Sequence, residues 1–375
     1  MNDISAYSKV IFLGGGVMAQ RLYRQIDGIE NKLIGVMDLY EPEDRKRTEF
    51  MGLTIQSPKE LEAEIMSDDT AVMVAIGSPY IGTILNEYMQ KYRHQKDHMF
   101  LVNPYSSLRF FCIDDGFAGE ERVPFTDEKY KIVEKLFTDN ESCSIFKQLV
   151  TAKPYETVED SYEIVPYSLL EEMFYYKEDY WDSFEFPDTA AANEATVLDC
   201  GAYIGDSIEQ ICRSIPQKEV NYYAFEPLLE NAESIKKNES LKKICSRLNV
   251  YQFGVGSEDT QMVFQMPVTG DKEGGRFVED KNSAAADCLE IRSLDGLNLD
   301  IKGQLYIKMD IEGAELGALK GAERLIKSHK PYLAVCLYHR KNDLLEIPMY
   351  LHHLMPDYKF YLRGGYHTIL WAVPE

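Results

Sequence analysis

Five residues form a candidate set because each stands at or just beyond the end of an apolar run. Asp199 closes the run in "TVLDCGAYIGD", Glu226 follows "YYAF", and Asp310 follows "LYIKM". Glu312 comes two residues after Asp310, and His339 follows "YLAVCLY". In an open α/β sheet, ligands bind outside the carboxyl ends of the strands, which is where such residues stand. A carboxylate there accepts hydrogen bonds from hydroxyl or ammonium groups. A carboxylate or imidazole can also take a proton from a reacting hydroxyl.

Two glycine turns accompany these residues. The first, Gly14-Gly15-Gly16-Val17-Met18-Ala19, fits G-x-G-x-x-A, and Asp38 closes the next apolar run. That is the pattern of a dinucleotide site: Gly14 and Gly16 admit a pyrophosphate and Asp38 meets the ribose. The alternative is a turn that serves only close strand–helix packing. The second turn has Gly201 and Gly205, with Ala202, Tyr203 and Ile204 between them and Asp206 after. Tyr203 fills the space that a pyrophosphate needs. A ligand with a ribose and a compact zwitterionic tail remains. Glu226, followed by Pro227, can accept both ribose hydroxyls, and Asp199 can hold an ammonium or face a sulfonium. S-adenosylmethionine carries all of these groups.

Alternating strand and helix signals must position the set. Over 1–110 the runs Lys9–Leu13, Leu33–Asp38, Ala71–Ile76 and Met99–Val102 alternate with helical segments, among them Val17–Ile26, Leu61–Met66 and Tyr80–Tyr92. This predicts a parallel sheet. Over 111–187 the strand signal fades into helices at Glu128–Phe137, Ser144–Val150 and Ser168–Tyr176. These form a helical connector, dense in aromatics such as Tyr155, Tyr162, Tyr167, Phe184 and Phe186. Over 188–375 the rhythm resumes. Strands are predicted at Thr196–Asp199, Val220–Phe225, Val250–Val255, Leu305–Met309 and Pro331–Leu337, with a polar loop at Pro267–Asp287. Tyr358–Leu362 and Thr368–Val373 close as an antiparallel hairpin. Glu315, at the start of the helix Glu315–Ile326, reads as favourable charge at a helix N-terminus.

The fold class is thus α/β, with two doubly wound Rossmann-like domains joined by the connector. The length of 375 residues agrees with two cores. The net charge of -22 disfavours nucleic acid and anionic membrane as partners. Seven dispersed cysteines, without metal-ligand spacing, and an N-terminus without a basic and apolar leader predict a cytoplasmic protein. No metal is expected, with the alternative that Asp310, Glu312 and His339 hold a divalent cation.

The blocks "VLDCGAYIGDS", "YAFEPLLEN", "IKMDIEGAELGALKGAE" and "PYLAVCLYHRKNDLLEIP" together resemble the FkbM family of S-adenosylmethionine-dependent methyltransferases. The resemblance runs from about Asp160 to the C-terminus. It implies a class I methyltransferase fold, with a mostly parallel seven-stranded sheet and a final antiparallel strand. It also implies S-adenosylmethionine as cofactor and O-methylation of a small-molecule hydroxyl acceptor, such as a sugar or nucleotide sugar. The expected cofactor residues are Asp199, Gly201, Ala202, Tyr203, Gly205, Asp206, Glu226 and Pro227, and the expected catalytic residues are Asp310, Glu312 and His339. Two other readings stand beside it. One is an NAD-dependent enzyme using the first turn, for which "SPYIGTILNEYMQKY" lacks the Tyr-x-x-x-Lys it would need. The other is a non-catalytic nucleotide-binding protein.

Overall fold

The computed structural model describes residues 4–39, 48–76, 88, 91–92, 97–102, 123–151, 164–167, 184, 186, 193–265, 276–278, 288–363 and 368–375. The chain divides into two compact units. The first comprises residues 1–114, 148–179 and 364–367, and the second comprises 115–147, 180–363 and 368–375. The stretch read as a connector, 111–187, therefore contributes chain to both.

The first unit is built on β1 (Lys9–Leu13), β2 (Leu33–Met37), β3 (Glu49–Phe50), β4 (Leu53–Gln56), β5 (Thr70–Val74), β6 (Met99–Val102) and β7 (Ile164–Pro166). Their order across the sheet is β3-β4-β2-β1-β5-β6-β7. The five middle strands are parallel, and β3 and β7 are antiparallel edges. Successive side chains of a strand point to opposite faces. Ile11, Leu13, Val72 and Val74 accordingly enter one core, and Val10, Phe12, Ala71 and Met73 enter another. Both faces are covered, which is why these strands read as continuous apolar runs. The short strands β3, β4 and β7 carry too little pattern to be seen in sequence. The expected helices Tyr80–Tyr92 and Ser168–Tyr176 fall largely or wholly outside the described residues.

The second unit has two sheets. The larger contains β8 (Glu194–Cys200), β9 (Glu219–Phe225), β10 (Arg247–Tyr251), β15 (Gln304–Met309), β16 (Tyr332–Cys336), β17 (Lys359–Arg363) and β18 (Ile369–Val373). Their order is β10-β9-β8-β15-β16-β18-β17. All pairs are parallel except those made by β18, which runs antiparallel to both neighbours. The strand order reverses between β8 and β15, so the ligand crevice is expected there. Phe184 stacks on Trp371 with centroids 4.8 Å apart, and Phe186 meets the same ring edge-on at 5.3 Å. Of these two aromatics of the expected connector, Phe184 is buried in the second unit and Phe186 is half-buried against it.

The smaller sheet was not read from the sequence. It contains β11 (Gly254–Val255), β12 (Thr260–Gln265), β13 (Arg276–Val278) and β14 (Cys288–Arg292), in the order β11-β14-β12-β13. The run Val250–Val255 is split between the two sheets. Arg276–Val278, inside the expected loop Pro267–Asp287, pairs antiparallel with β12. The helix expected over Glu315–Ile326 is two helices, Glu315–Lys320 and Glu323–His329. At the break, a Cβ on Gly321 would lie 2.1 Å from the carbonyl oxygen of Gly256.

Residues 137–142 cover the edge strand β17. The Thr138 amide donates to the Phe360 carbonyl at 2.9 Å, and the Leu362 amide donates to Ser142 Oγ at 2.8 Å. The buried Arg363 donates from Nη2 to Asp139 Oδ2 at 2.6 Å. Burial pushes the Asp139 carboxyl up, but hydrogen bonds from Arg363 and Ser142 outweigh it and hold the pKa below the usual value. A lowered carboxyl pKa adds stability above the unfolded value, and that stability is lost as pH falls through the folded value. Asp139→Asn is therefore expected to cost roughly 1–3 kcal/mol at pH 7, a part-exposed pair being discounted from a buried one. Urea melts of both proteins should show this gap closing as pH falls below about 4. A gap that is constant down to pH 3 would contradict the assignment.

Candidate active site

The site begins with strand register. β8 and β15 are parallel neighbours, and Lys308 lies opposite Asp199 across them. Both side chains are buried. Lys308 Nζ donates to Asp199 Oδ1 and to the Gly201 carbonyl oxygen, each at 2.8 Å. Asp199 Oδ2 accepts from Tyr222 Oη at 2.8 Å and from Ser207 Oγ at 3.1 Å. Burial alone would lower the Lys308 pKa, but the Asp199 and Asp310 carboxylates more than offset it and hold the ammonium charged. The sequence reading gives Asp199 a ligand's ammonium or sulfonium. The ammonium it holds is that of Lys308, and Asp199 supports the turn from beneath. Lys308 was missed, although a lysine inside the apolar run "LYIKM" needs a buried acid as partner.

The turn itself is shaped by the chain's own backbone. Gly201 has φ of 82°, and a Cβ there would lie 1.9 Å from the Asp310 carbonyl oxygen. The Gly201 and Ala202 amides donate to the Phe225 carbonyl at 3.0 and 3.2 Å. Tyr203 has φ of 47°, a left-handed conformation that is uncommon for a non-glycine residue. Its amide donates to Glu226 Oε2 at 2.9 Å. Glu226 Oε1 accepts from the Leu228 amide at 3.0 Å and from Asn231 Nδ2 at 3.2 Å. Burial raises the Glu226 pKa, and these three hydrogen bonds offset part of the rise. Gly205 precedes the helix Asp206–Ser214, whose first residue, Asp206, is exposed. Pro227, beside Glu226, is half-buried.

Asp310, Glu312 and His339 come together on the rim beyond β15 and β16. His339 Nε2 lies 3.5 Å from Asp310 Oδ1 and 3.5 Å from Glu312 Oε2. Tyr338 Oη donates to Asp310 Oδ1 at 2.8 Å. His339 Nδ1 lies 2.8 Å from Glu315 Oε1. Glu315 is wholly buried, and the same oxygen accepts from the Ile311 amide at 2.8 Å. Its role exceeds charge at a helix N-terminus. Ala318 and Leu319, three and four residues on, share its buried face, and that spacing was the available signal. Asp343, also buried, accepts from the Arg340 amide at 2.7 Å, and burial together with Glu315 pushes its pKa well up. Burial would lower the His339 pKa, but Glu315, Glu312 and Asp310 raise it well above the usual value. Glu312 has φ of 54° and a side chain 42% exposed. Backbone strain of this kind gathers at functional sites.

In the first unit, Gly14 has φ of 101°, and a Cβ there would lie 2.8 Å from Ile76 Cγ1. Among the described residues, nothing lies within 4 Å of a Cβ placed on Gly16, which precedes the helix Val17–Gln25. The Gly14 amide donates to the Met37 carbonyl at 2.8 Å, which sets Asp38 beside the turn. Gly14 thus serves packing, and Gly16 is the open position.

Residues 199–360 match the family model described as the methyltransferase FkbM domain. That match spans the glycine turn, Glu226 and the rim of acids, so this part of the chain is similar to FkbM methyltransferase domains. A methyltransferase FkbM from Methylobacillus flagellatus KT shares the fold, with TM-score 0.50 and 21% identity over 97% of this chain and 90% of that one. A SAM-dependent methyltransferase from Aquifex aeolicus aligns with 48% of this chain and 81% of its own, at 12% identity and TM-score 0.28. No curated protein matches the chain. Among the described residues, no helix is long and apolar enough to cross a membrane.

The cofactor of an FkbM methyltransferase is S-adenosylmethionine, and the donor set of the turn fits it. The stretch 201–206 carries one charged side chain, Asp206, and the nearby Lys308 ammonium is turned to Asp199 and Gly201. A diphosphate would meet the carboxylates of Asp206 and Glu226. A ribose diol and a sulfonium find there the acceptors and the opposite charge they need.

Removing one partner of the buried pair leaves the other charge without compensation. Lys308→Met is expected to cost about 3–5 kcal/mol of stability, and Asp199→Asn with Lys308→Met to recover much of it. Denaturant titration of Lys308→Met and of the double variant, beside the unaltered protein, checks this. Equal losses in the single and double variants would refute the coupling. Gly201→Ala should be strongly destabilising, whereas Gly16→Ala should leave the melting temperature unchanged.

Proposed function

We propose that the C-terminal unit methylates a hydroxyl oxygen of a sugar or another small metabolite. The observation that carries this reading is the placement of Glu312. It is a part-exposed carboxylate on strained backbone, beside His339 and Asp310, at the rim of the β8–β15 crevice. When bound, S-adenosylmethionine supplies a methyl group made electrophilic by its positive sulfur. Glu226, fixed by Tyr203, Leu228 and Asn231, accepts the ribose hydroxyls. A hydroxyl is a weak nucleophile at neutral pH, so loss of its proton must accompany attack. Glu312 receives that proton, and His339 and Asp310 orient the acceptor. The acidic surroundings disfavour anionic acceptors and tolerate neutral, hydroxyl-rich ones.

The test pairs labelled S-adenosylmethionine with a panel of sugars, nucleotide sugars and hydroxylated metabolites. The expected product is a methyl ether that survives alkali. A base-labile methyl ester, or methylation of amines alone, would refute O-methylation of a hydroxyl. Glu312→Gln should lower kcat by about 10²–10⁴-fold while cofactor affinity stays within about twofold. Glu226→Gln should weaken cofactor binding by about 10–100-fold in calorimetry, as expected for losing a charged hydrogen-bond acceptor.

A further inference from the structure

The cluster around His339 contains more than a proton acceptor requires. One ligand atom each from Asp310, Glu315 and His339 lies within 4.8 Å of the others. Two bonds of about 2.1–2.4 Å to one ion span nearly this separation. His339 is 6% exposed and Glu315 is wholly buried. His339 Nδ1 approaches Glu315 Oε1 to 2.8 Å, and the other oxygen of that carboxylate, Glu315 Oε2, is buried without a hydrogen-bond partner among the described residues. Buried polar atoms in folded proteins are almost always satisfied, and an exception calls for an absent water or ion. Asp343, a further buried carboxylate, adds to the acidity around the cluster.

We infer that Asp310, Glu315 and His339 form a binding site for one divalent cation on the rim of the methyltransferase crevice. Two carboxylates and one imidazole suit Mn²⁺ or a similar first-row ion better than Ca²⁺, which takes six to eight oxygen ligands. Asp310 and His339 stand at the ends of neighbouring strands, and Glu315 stands at the head of the helix that follows β15. An ion held there binds the acceptor's hydroxyl, lowers the pKa of that hydroxyl, and leaves Glu312 as the group that receives the proton. This role for the ion rests on the proposed hydroxyl methylation, but the binding itself does not.

The full-length protein, stripped with EDTA and dialysed, is titrated with MnCl₂ and followed by electron paramagnetic resonance. One ion per chain is expected at micromolar affinity, with a ¹⁴N modulation from the imidazole in the pulsed spectrum. Asp310→Asn and His339→Gln should each weaken binding at least about tenfold, while Glu312→Gln retains it. Circular dichroism shows whether each variant is folded, and the nitrogen signal in the unaltered protein needs no variant. Absence of stoichiometric binding, a bound ion without nitrogen modulation, or binding unchanged in folded Asp310→Asn would overturn the inference. Because no methyl transfer is measured, a stoichiometric, nitrogen-coupled ion in a protein that fails to methylate hydroxyls would support this site and reject only the proposed function.

Discussion

The buried contact between Lys308 and Asp199 is the constraint on which the second unit's site depends. It joins the two strands that flank the reversal of strand order, in register, at the level where the glycine turn departs. The same ammonium holds the Gly201 carbonyl, and Gly201 itself lies against the Asp310 carbonyl, where no side chain fits. The glycine turn and the rim of acids are therefore fixed to one another through two strands and two contacts to carbonyl oxygens. A buried ion pair is weak evidence for stability, since apolar replacements often do as well. Its contribution here is positional. An apolar pair would fill the space but could not hold a carbonyl oxygen.

Much of this was legible in the sequence, and the exceptions have physical causes. The parallel strands were readable because both faces of each sheet are buried, which writes long apolar runs into the chain. Asp310, Glu312 and His339 were readable as a set because each stands at or just beyond a strand end, and topology brings those ends to one edge. Lys308 and Glu315 were not, because each looks ordinary in its own element. A lysine in a strand and an acid at a helix start gain meaning only from partners that are distant in sequence or across the fold. Asp199 was read with a ligand in mind, and the partner seen in the structure, Lys308, lies 109 residues away. The small sheet was hidden because β11 and β13 are only 2 and 3 residues long and β14 is mostly exposed, so no alternation marks them.

The two glycine turns now differ in a way the motifs alone do not reveal. In each, one glycine exists for the chain's own sake: Gly14 against Ile76, and Gly201 against Asp310. Beyond that they diverge. Gly16 has no described residue against it and stands at a helix N-terminus, where backbone amides face outward. The corresponding part of the second turn holds Tyr203, whose amide is committed to Glu226. A shared strand–turn–helix plan thus yields an open cradle in one unit and a braced, acidic one in the other.

The strand order of the larger sheet has a consequence for how the protein is made. β18, which follows β16 and β17 in the chain, lies between them and not at an edge. Until residues 369–373 have left the ribosome, β16 and β17 each present an unpaired edge, and the space between them can accept any extended segment. A nascent chain halted before β18 would carry every residue of the candidate site and still expose two open strands. Such a species is prone to aggregate. Completion of the sheet, and with it protection from faulty pairing, waits for a strand made after every residue of the candidate site.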